Sequence, residues 1–454
     1  MQQKPLHCAT CETDLGHIKV AKKVHTKKFR GVVRAASDAA LPKGIRAMTS
    51  NTSRALVAAV FLATSALIAL PASAATLSDA VARHLMDVQT ASKKQDWAAA
   101  KAAIAAAAAV STRTAFDDYT IARMTIAVDA NTNDMAGASV AAQAAADSPA
   151  QDDKDKASNA NVALELTMYT KQYDKAIKYA KYLETTNPTD PKMLSNIANA
   201  YYFGNDFASA KAMAQKQIDV DTKAGRVPDH NALMVLMSAA AGLKDEPGAE
   251  AALELLVVNY NQPEDWAQMI DIAFGTPGLR DVDAVWLGRL LFLTGAPVSQ
   301  NTGNMIGSIS GHLAFFGDAV NAKAHGAVVD PDPGPRADAD KKTISQQIAA
   351  EDKQNGTYSA KLAEALYSYG MYPEAEEAAN KAITKGGNPD TSEAPMILGQ
   401  AQTAQAKYDD ALASFGKVTG GGPATARITK LWVDYVTIKK RPPAAAPAAA
   451  QATK

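Results

Sequence analysis

The stretch LSNIANAYYFGNDFASAKAMAQKQI, from Leu194 to Ile218, decides the fold. Leu194, Ile197, Ala198 and Tyr201 recur at steps of three and four, the spacing that lines one face of a helix. Gly204-Asn205-Asp206 interrupts that face with three turn-forming residues. Phe207, Ala210 and Ala214 then mark a second apolar stripe. The reading is a helix, a tight turn and a second helix, with Ala210 small enough to let the first helix cross closely.

The phrase that opens the second helix recurs along the chain: a large residue, two small or polar ones, then alanine. It stands at Trp97 to Ala100, Met135 to Ala138, Tyr173 to Ala176, Phe207 to Ala210, Phe316 to Ala319, Tyr372 to Ala375 and Tyr408 to Ala411, with weaker copies ending at Ala249 and Ala284. Successive alanines are 34 to 39 residues apart, except for one longer step between Ala319 and Ala375. That step contains Asp330-Pro331-Asp332-Pro333-Gly334-Pro335, and its prolines predict an irregular, solvated insertion over 329–340.

Composition agrees with a helical array. Aromatic residues make up 6% of the 454 and alanine is abundant, while alternating β-branched runs are scarce. The first 74 residues hold 11 Lys/Arg against 3 Asp/Glu, which leaves 36 against 44 in the remainder. A mildly acidic body argues against binding a phosphate backbone, so no nucleic-acid partner is expected.

Ala55 to Leu70 is charge-free and apolar, shorter than the roughly 20 residues that span a bilayer but suited to the apolar core of an export signal. Arg54 precedes it, Pro71 ends it, and Ala72-Ser73-Ala74 offers small residues to a signal peptidase. Met48 stands just upstream. Residues 48–74 therefore read as a signal peptide cut after Ala74, with 1–47 an untranslated or disordered extension, and the product is expected outside the cytoplasm, periplasmic or secreted. Cys8 and Cys11, with His17 and His25, have the spacing of a zinc knuckle but no apolar scaffold to fold around a metal, so no metal site is expected. Both cysteines precede the cut.

The repeating alanine, aromatic and small-residue positions, with Pro188 closing one unit and Leu398-Gly399 inside the last, resemble the tetratricopeptide repeat (TPR) family over roughly Ser78 to Gly422. The resemblance implies an all-α solenoid of stacked helix–turn–helix units, about nine here, over residues 75–440. Ile428, Leu431, Trp432, Tyr435 and Ile438 form the stripe of a final capping helix, and in such a stack each unit touches its neighbours alone. Residues 441–454, RPPAAAPAAAQATK, read as a disordered tail.

In a solenoid of this type the first helix of each unit lines the concave side. The residues off its packing stripe are then Asn161, Glu165 and Met168, next Lys192, Asn196, Asn199 and Tyr202, and further along Glu364 and Tyr367. Asparagine both donates and accepts, so a row of them suits the backbone of an extended peptide. The expected role is an exported scaffold that holds a protein or peptide partner in this groove, with no cofactor and no stable membrane insertion. The alternative is a structural or accessory subunit of a cell-envelope export or outer-membrane assembly complex. Chemistry finds little purchase: His84, His230, His312 and His325 stand singly, no nucleophile or phosphate-loop motif occurs, and Asp330, Asp332, Asp338 and Asp340 lack the Gly-centred turn and terminal Glu of a calcium loop. Trp266, Trp286 and Leu290 to Leu293 read as core.

Overall fold

The computed structural model describes residues 76–441. The extension 1–47, the zinc-like cysteine pattern, the signal peptide and the tail beyond Arg441 lie outside the described residues. Among those described there are twenty α-helices, one short 3-10 turn and no strand. They fall in two compact units that meet between Ala252 and Leu253.

The first unit contains α1 (Asp79–Lys93), α2 (Trp97–Ala109), α3 (Ala115–Asn131), α4 (Met135–Ala146), α5 (Asp153–Tyr169), α6 (Tyr173–Thr185), α7 (Pro191–Phe203), α8 (Phe207–Lys223) and α9 (His230–Gly242). Helix α10 (Glu246–Tyr260) crosses the boundary. The second unit continues with α11 (Pro263–Phe274), α12 (Asp281–Thr294), α13 (Gln300–His312), α14 (Phe316–Ala324), α15 (Pro333–Ala350), α16 (Gly356–Ser368), α17 (Tyr372–Lys385), α18 (Glu393–Ala404), α19 (Tyr408–Phe415) and α20 (Gly422–Lys440). Eighteen helices make nine helix–turn–helix units in chain order, leaving α15 and α20 outside the pairing. The fold is an all-α, TPR-like array.

The sequence phrase marks the second helices to the residue. They open on Trp97, Met135, Tyr173, Phe207, Phe316, Tyr372 and Tyr408, and the alanines that follow, Ala100, Ala138, Ala176, Ala210, Ala319, Ala375 and Ala411, have no exposed surface. A close crossing explains the alanine. Glycine serves from the opposite side: a β-carbon on Gly399 would lie 2.6 Å from the Phe415 ring, and one on Gly242 would lie 2.6 Å from Phe207.

Eight of the nine units share one turn. Its middle residue is left-handed: Gln95, Asn133, Lys171, Asn205, Lys244, Ala314, Gly370 and Ala406, with φ from 57° to 77°. The next residue donates its backbone N–H to the carbonyl five positions back, at 2.8 to 3.0 Å, from Asp96 to Ala91 in the first unit and from Lys407 to Gln402 in the last. This is the Schellman closure, which satisfies carbonyls that the helix end would otherwise orphan. In four turns the residue after the left-handed one is aspartate. Asp96, Asp134, Asp206 and Asp245 accept the N–H of Ala99, Gly137, Ser209 and Gly248 and so cap the second helix.

Two expectations need correction. Residues 333–340 are not irregular, because α15 begins at Pro333 with Pro335 in its first turn and Asp332 accepting the N–H of Gly334 at 3.0 Å. The first turn of a helix has no use for the missing proline N–H, so proline starts a helix where it would break one further in. The second correction concerns neighbours. Helix α20 does seal the last pair, with Trp432 packed 5.9 Å from Phe415, but it also runs against α11 and α12. Trp432 Nε1 donates to the carbonyl of Trp286 at 3.2 Å, 146 residues back, and Tyr435 meets Trp266 edge to face at 6.2 Å. Helix α12 is buried continuously from Val282 to Leu291. Trp266 and Trp286 are core as expected, whereas Leu293 is exposed and Phe292 is stacked on His325 at 4.3 Å.

Candidate partner-binding face

The first helices of neighbouring pairs touch in the first unit, α5 with α7 and α7 with α9. Their apolar residues sink between the pairs, and the positions left over meet each other across the helices. Asn196 on α7 donates to Glu165 on α5 at 2.8 Å and to Asn161 at 3.4 Å, Asn161 donates to the same Glu165 oxygen at 3.2 Å, and Lys192 lies 3.4 Å from it. Glu165 is nearly covered, its side chain 12% exposed, while Lys192 stays out in solvent.

One step along α7 the pattern repeats toward α9. Asn231 donates to Ser195 at 3.1 Å and to Asn199 at 3.5 Å, and Asn199 also reaches Ser195 at 3.5 Å. The carbonyl oxygen of Asn231 is buried without a partner. Seven polar side chains from three successive first helices are thus held in two groups, Asn161, Glu165, Lys192 and Asn196 in one and Ser195, Asn199 and Asn231 in the other; Asn199, which spacing places on the open groove, is buried at 7% exposure. Met168 is half-buried on α5. Tyr202 is half-buried too, in a cluster of rings with Phe203 at 5.4 Å and Phe207 at 5.8 Å.

Glu364 and Tyr367 do not belong with them. Both lie inside the second unit, Glu364 with no exposed surface and Tyr367 at 7%. Glu364 accepts from Trp286 Nε1 at 2.8 Å and from Arg289 at 2.6 Å. The face of α16 that repeat spacing assigns to an open groove is covered by α12, which brings Trp286 and Arg289 down onto it. Burial raises the Glu364 pKa, with Arg289 opposing the rise. Burial likewise pushes the Tyr367 hydroxyl far above its ordinary range.

The residues that sequence spacing missed are the partners in this interior. Arg289 bonds Asp318 through Nε and Nη2 at 3.1 and 2.6 Å, Gln400 at 2.9 Å and Glu364, and its guanidinium lies 4.3 Å from the centre of the Tyr367 ring. The signal was a lone arginine in the apolar run Val285 to Leu293, since a cation so placed demands carboxylates. Which carboxylates answer it, 29 and 75 residues away, spacing does not say. A second missed group lies on α3 and α5, where Asn159 donates to Tyr119 at 3.0 Å and to Gln151 at 3.0 Å, and Arg123 stands 3.6 Å from Asp155.

Among the described residues no group of three or more His, Cys, Asp or Glu is placed to hold a metal, and no helix is long and apolar enough to cross a membrane. His312 and His325 each turn a ring nitrogen to a carbonyl of their own helix, Ser308 at 3.1 Å and Asn321 at 2.9 Å.

No family model matches the sequence, and no curated protein matches it. Solved structures similar to this chain include a tetratricopeptide repeat protein from Parabacteroides merdae, at 11% identity and a TM-score of 0.31, covering 78% of this chain and 99% of that one. The TPR2AB domain of yeast Sti1, in a complex with pHSP90, is similar at 15% identity and a TM-score of 0.20, covering 63% of this chain and 99% of that one. The APC/C hetero-tetramer Cut9-Hcn1 is similar at 13% identity and a TM-score of 0.23, covering 80% and 70%.

Proposed function

We propose that this chain is a binding scaffold for a protein or peptide partner, and that the face of α5, α7 and α9 carries the contact. The supporting observation is the pair of polar groups on these helices, Asn161 and Glu165 with Lys192 and Asn196, and beside them Ser195, Asn199 and Asn231, whose members are fixed by their own hydrogen bonds. Side chains already ordered lose little further entropy when a partner binds, so such a row engages a peptide backbone at lower cost than mobile ones would. Asn231 keeps an acceptor unanswered within it. Lys192 and Tyr202 supply a charge and an aromatic edge at the border.

The proposal includes export, on the strength of the apolar segment Ala55 to Leu70 and the small residues Ala72-Ser73-Ala74. Intact mass of the protein extracted from cells tests that part: a chain beginning at Ala75 is expected, and one retaining Cys8 would overturn it. The binding part is tested by Asn196→Ala with Asn199→Ala in the full chain. Cross-linking in cells is expected to lose the partner species while circular dichroism keeps its helicity. An unchanged set of cross-linked species on a fully helical double variant would remove this face from consideration.

A further inference from the structure

Helix α20 differs from every other element in how it is attached. Three consecutive glycines, Gly420, Gly421 and Gly422, lead into it, all with positive φ, at 84°, 68° and 79°. Such a run belongs to a backbone that side-chain-bearing residues adopt at a cost, and in the seated position it is closely packed: a β-carbon on Gly421 would lie 2.9 Å from Arg280 and one on Gly420 2.7 Å from Thr391, so any turning at the joint goes with release of the Arg280 contacts. Beyond the joint α20 lies as one rod of 19 residues. Its inner face, Ile428, Leu431, Trp432, Tyr435 and Val436, is buried against Trp266, Trp286 and Phe415 from α11, α12 and α19.

The rim of this seat is ionic. Thr425 donates to Asp283 at 3.0 Å and accepts from Arg280 at 2.9 Å, and Arg280 also bonds Asp283, Asp390 at 2.6 Å and Ser392 at 3.1 Å, so that the starts of α12, α18 and α20 are gathered on one guanidinium. Arg280 is only partly covered, its side chain 30% exposed. Lower down, Lys430 pairs with Glu254 and Asp434, Lys440 with Asp409, and Arg441 donates to the carbonyl of Val258. The contacts to Glu254, Asp409 and Val258 hold α20 at a solvent-facing edge, where salt reaches, while Lys430–Asp434 lies within the helix itself.

We propose that α20 is a hinged strap: residues 422–440 leave and re-enter their seat as one body about Gly420–Gly422, the Arg280 cluster is the latch, and opening bares a groove lined by Trp266, Trp286 and Phe415. The inference is independent of the partner-binding face on α5, α7 and α9. It predicts that α20 opens without the rest of its unit, and that weakening the edge contacts speeds that opening while the apolar face sets its ceiling.

Hydrogen exchange on the intact chain reads this directly, in the wild type at low salt and at about 0.5 M salt, where exposed charges are screened, and in Arg280→Gln. Amides of 428–438 are expected to exchange about tenfold faster in the variant, and measurably faster at high salt, than in the wild type at low salt, while those of α16 and α18 keep their rates. Exchange of α20 in step with α16 and α18 under every condition, or α20 rates unmoved by salt and by the substitution, would overturn the proposal. The salt comparison needs no variant and stands if Arg280→Gln does not fold.

Discussion

The two units repeat one kind of helix pair, with the shared turn absent from α11–α12 in the second, and are held together in different ways. In the first, side-chain hydrogen bonds between helices reach 40 residues at the longest among the described residues, from Asn159 to Tyr119. In the second they run from Arg289 to Glu364 and Gln400, from Arg280 to Thr425 and from Trp432 to Trp286, spans of 75, 111, 145 and 146 residues. The first unit is a stack of neighbours, in which each pair answers to the pair before and after. The second is closed upon α12, so that pairs distant in sequence share one interior. A largely shared helix pair therefore does not by itself dictate whether a run of repeats behaves as a line or as a single cooperative body; a few polar residues at its centre and one returning helix do.

The sharpest way to break the comparison is Arg289→Ala. It leaves Asp318 and Glu364 buried without their cation, a loss on the order of 3–5 kcal/mol for a broken interior pair. Because four helices meet on Arg289, denaturant unfolding should show the whole second unit losing stability together, with α1 to α9 unchanged by hydrogen exchange. Loss confined to α12 and α14 would mean that the second unit is also a stack of neighbours.

Acid and base sharpen the contrast further. In the first unit Asp117 is fully buried; burial pushes its carboxyl up, but the N–H groups of Thr114 at 2.8 Å and Ser78 at 2.9 Å outweigh that and hold it below the usual range. Its contribution is present above the unfolded carboxylate pKa and is lost as pH falls through the folded value. Glu364 in the second unit is raised by burial, so its contribution is complete below the unfolded value and declines as pH rises through the folded one. Asp117→Asn should cost about 1 kcal/mol, the usual worth of a helix cap, with the difference from wild type shrinking in acid. Glu364→Gln should flatten the fall in stability of the second unit toward higher pH. Denaturation midpoints of both variants between acid and neutral pH check the two signs.

The smallest effect tests what the units share. Ala406 holds a left-handed conformation that costs a residue with a β-carbon about 1–2 kcal/mol, part of which glycine returns as chain entropy. Ala406→Gly is expected to raise stability by up to about 1 kcal/mol; Gly370 occupies the same left-handed position in the preceding pair. A loss on thermal melting would show that the turn is not under the strain its dihedral implies.

Much of this was legible in the sequence, and the part that was not has a physical reason. A large residue three positions before an alanine fixed where each second helix starts, because packing a ring beside a bare backbone leaves few other choices. Helical spacing did bring Asn161 and Asn196, 35 residues apart in a repeating fold, side by side, but it did not show that Asn199 is buried. Spacing failed at Glu364 and Tyr367, whose environment is made by α12, some 75 residues earlier, and no repeat rule relates the two. It failed again at Pro333, where a residue known for breaking helices begins one.

The turn shared by eight units is closed by main-chain atoms: a left-handed residue, then an N–H to a carbonyl five positions back. Glutamine, asparagine, lysine, alanine and glycine all occupy its centre, so the joint tolerates replacement of nearly everything a sequence comparison can see. A lineage built on such joints can drift until its members share little more than their pitch. Ancestry in such arrays is better traced through the cadence of bends along the backbone than through the letters between them.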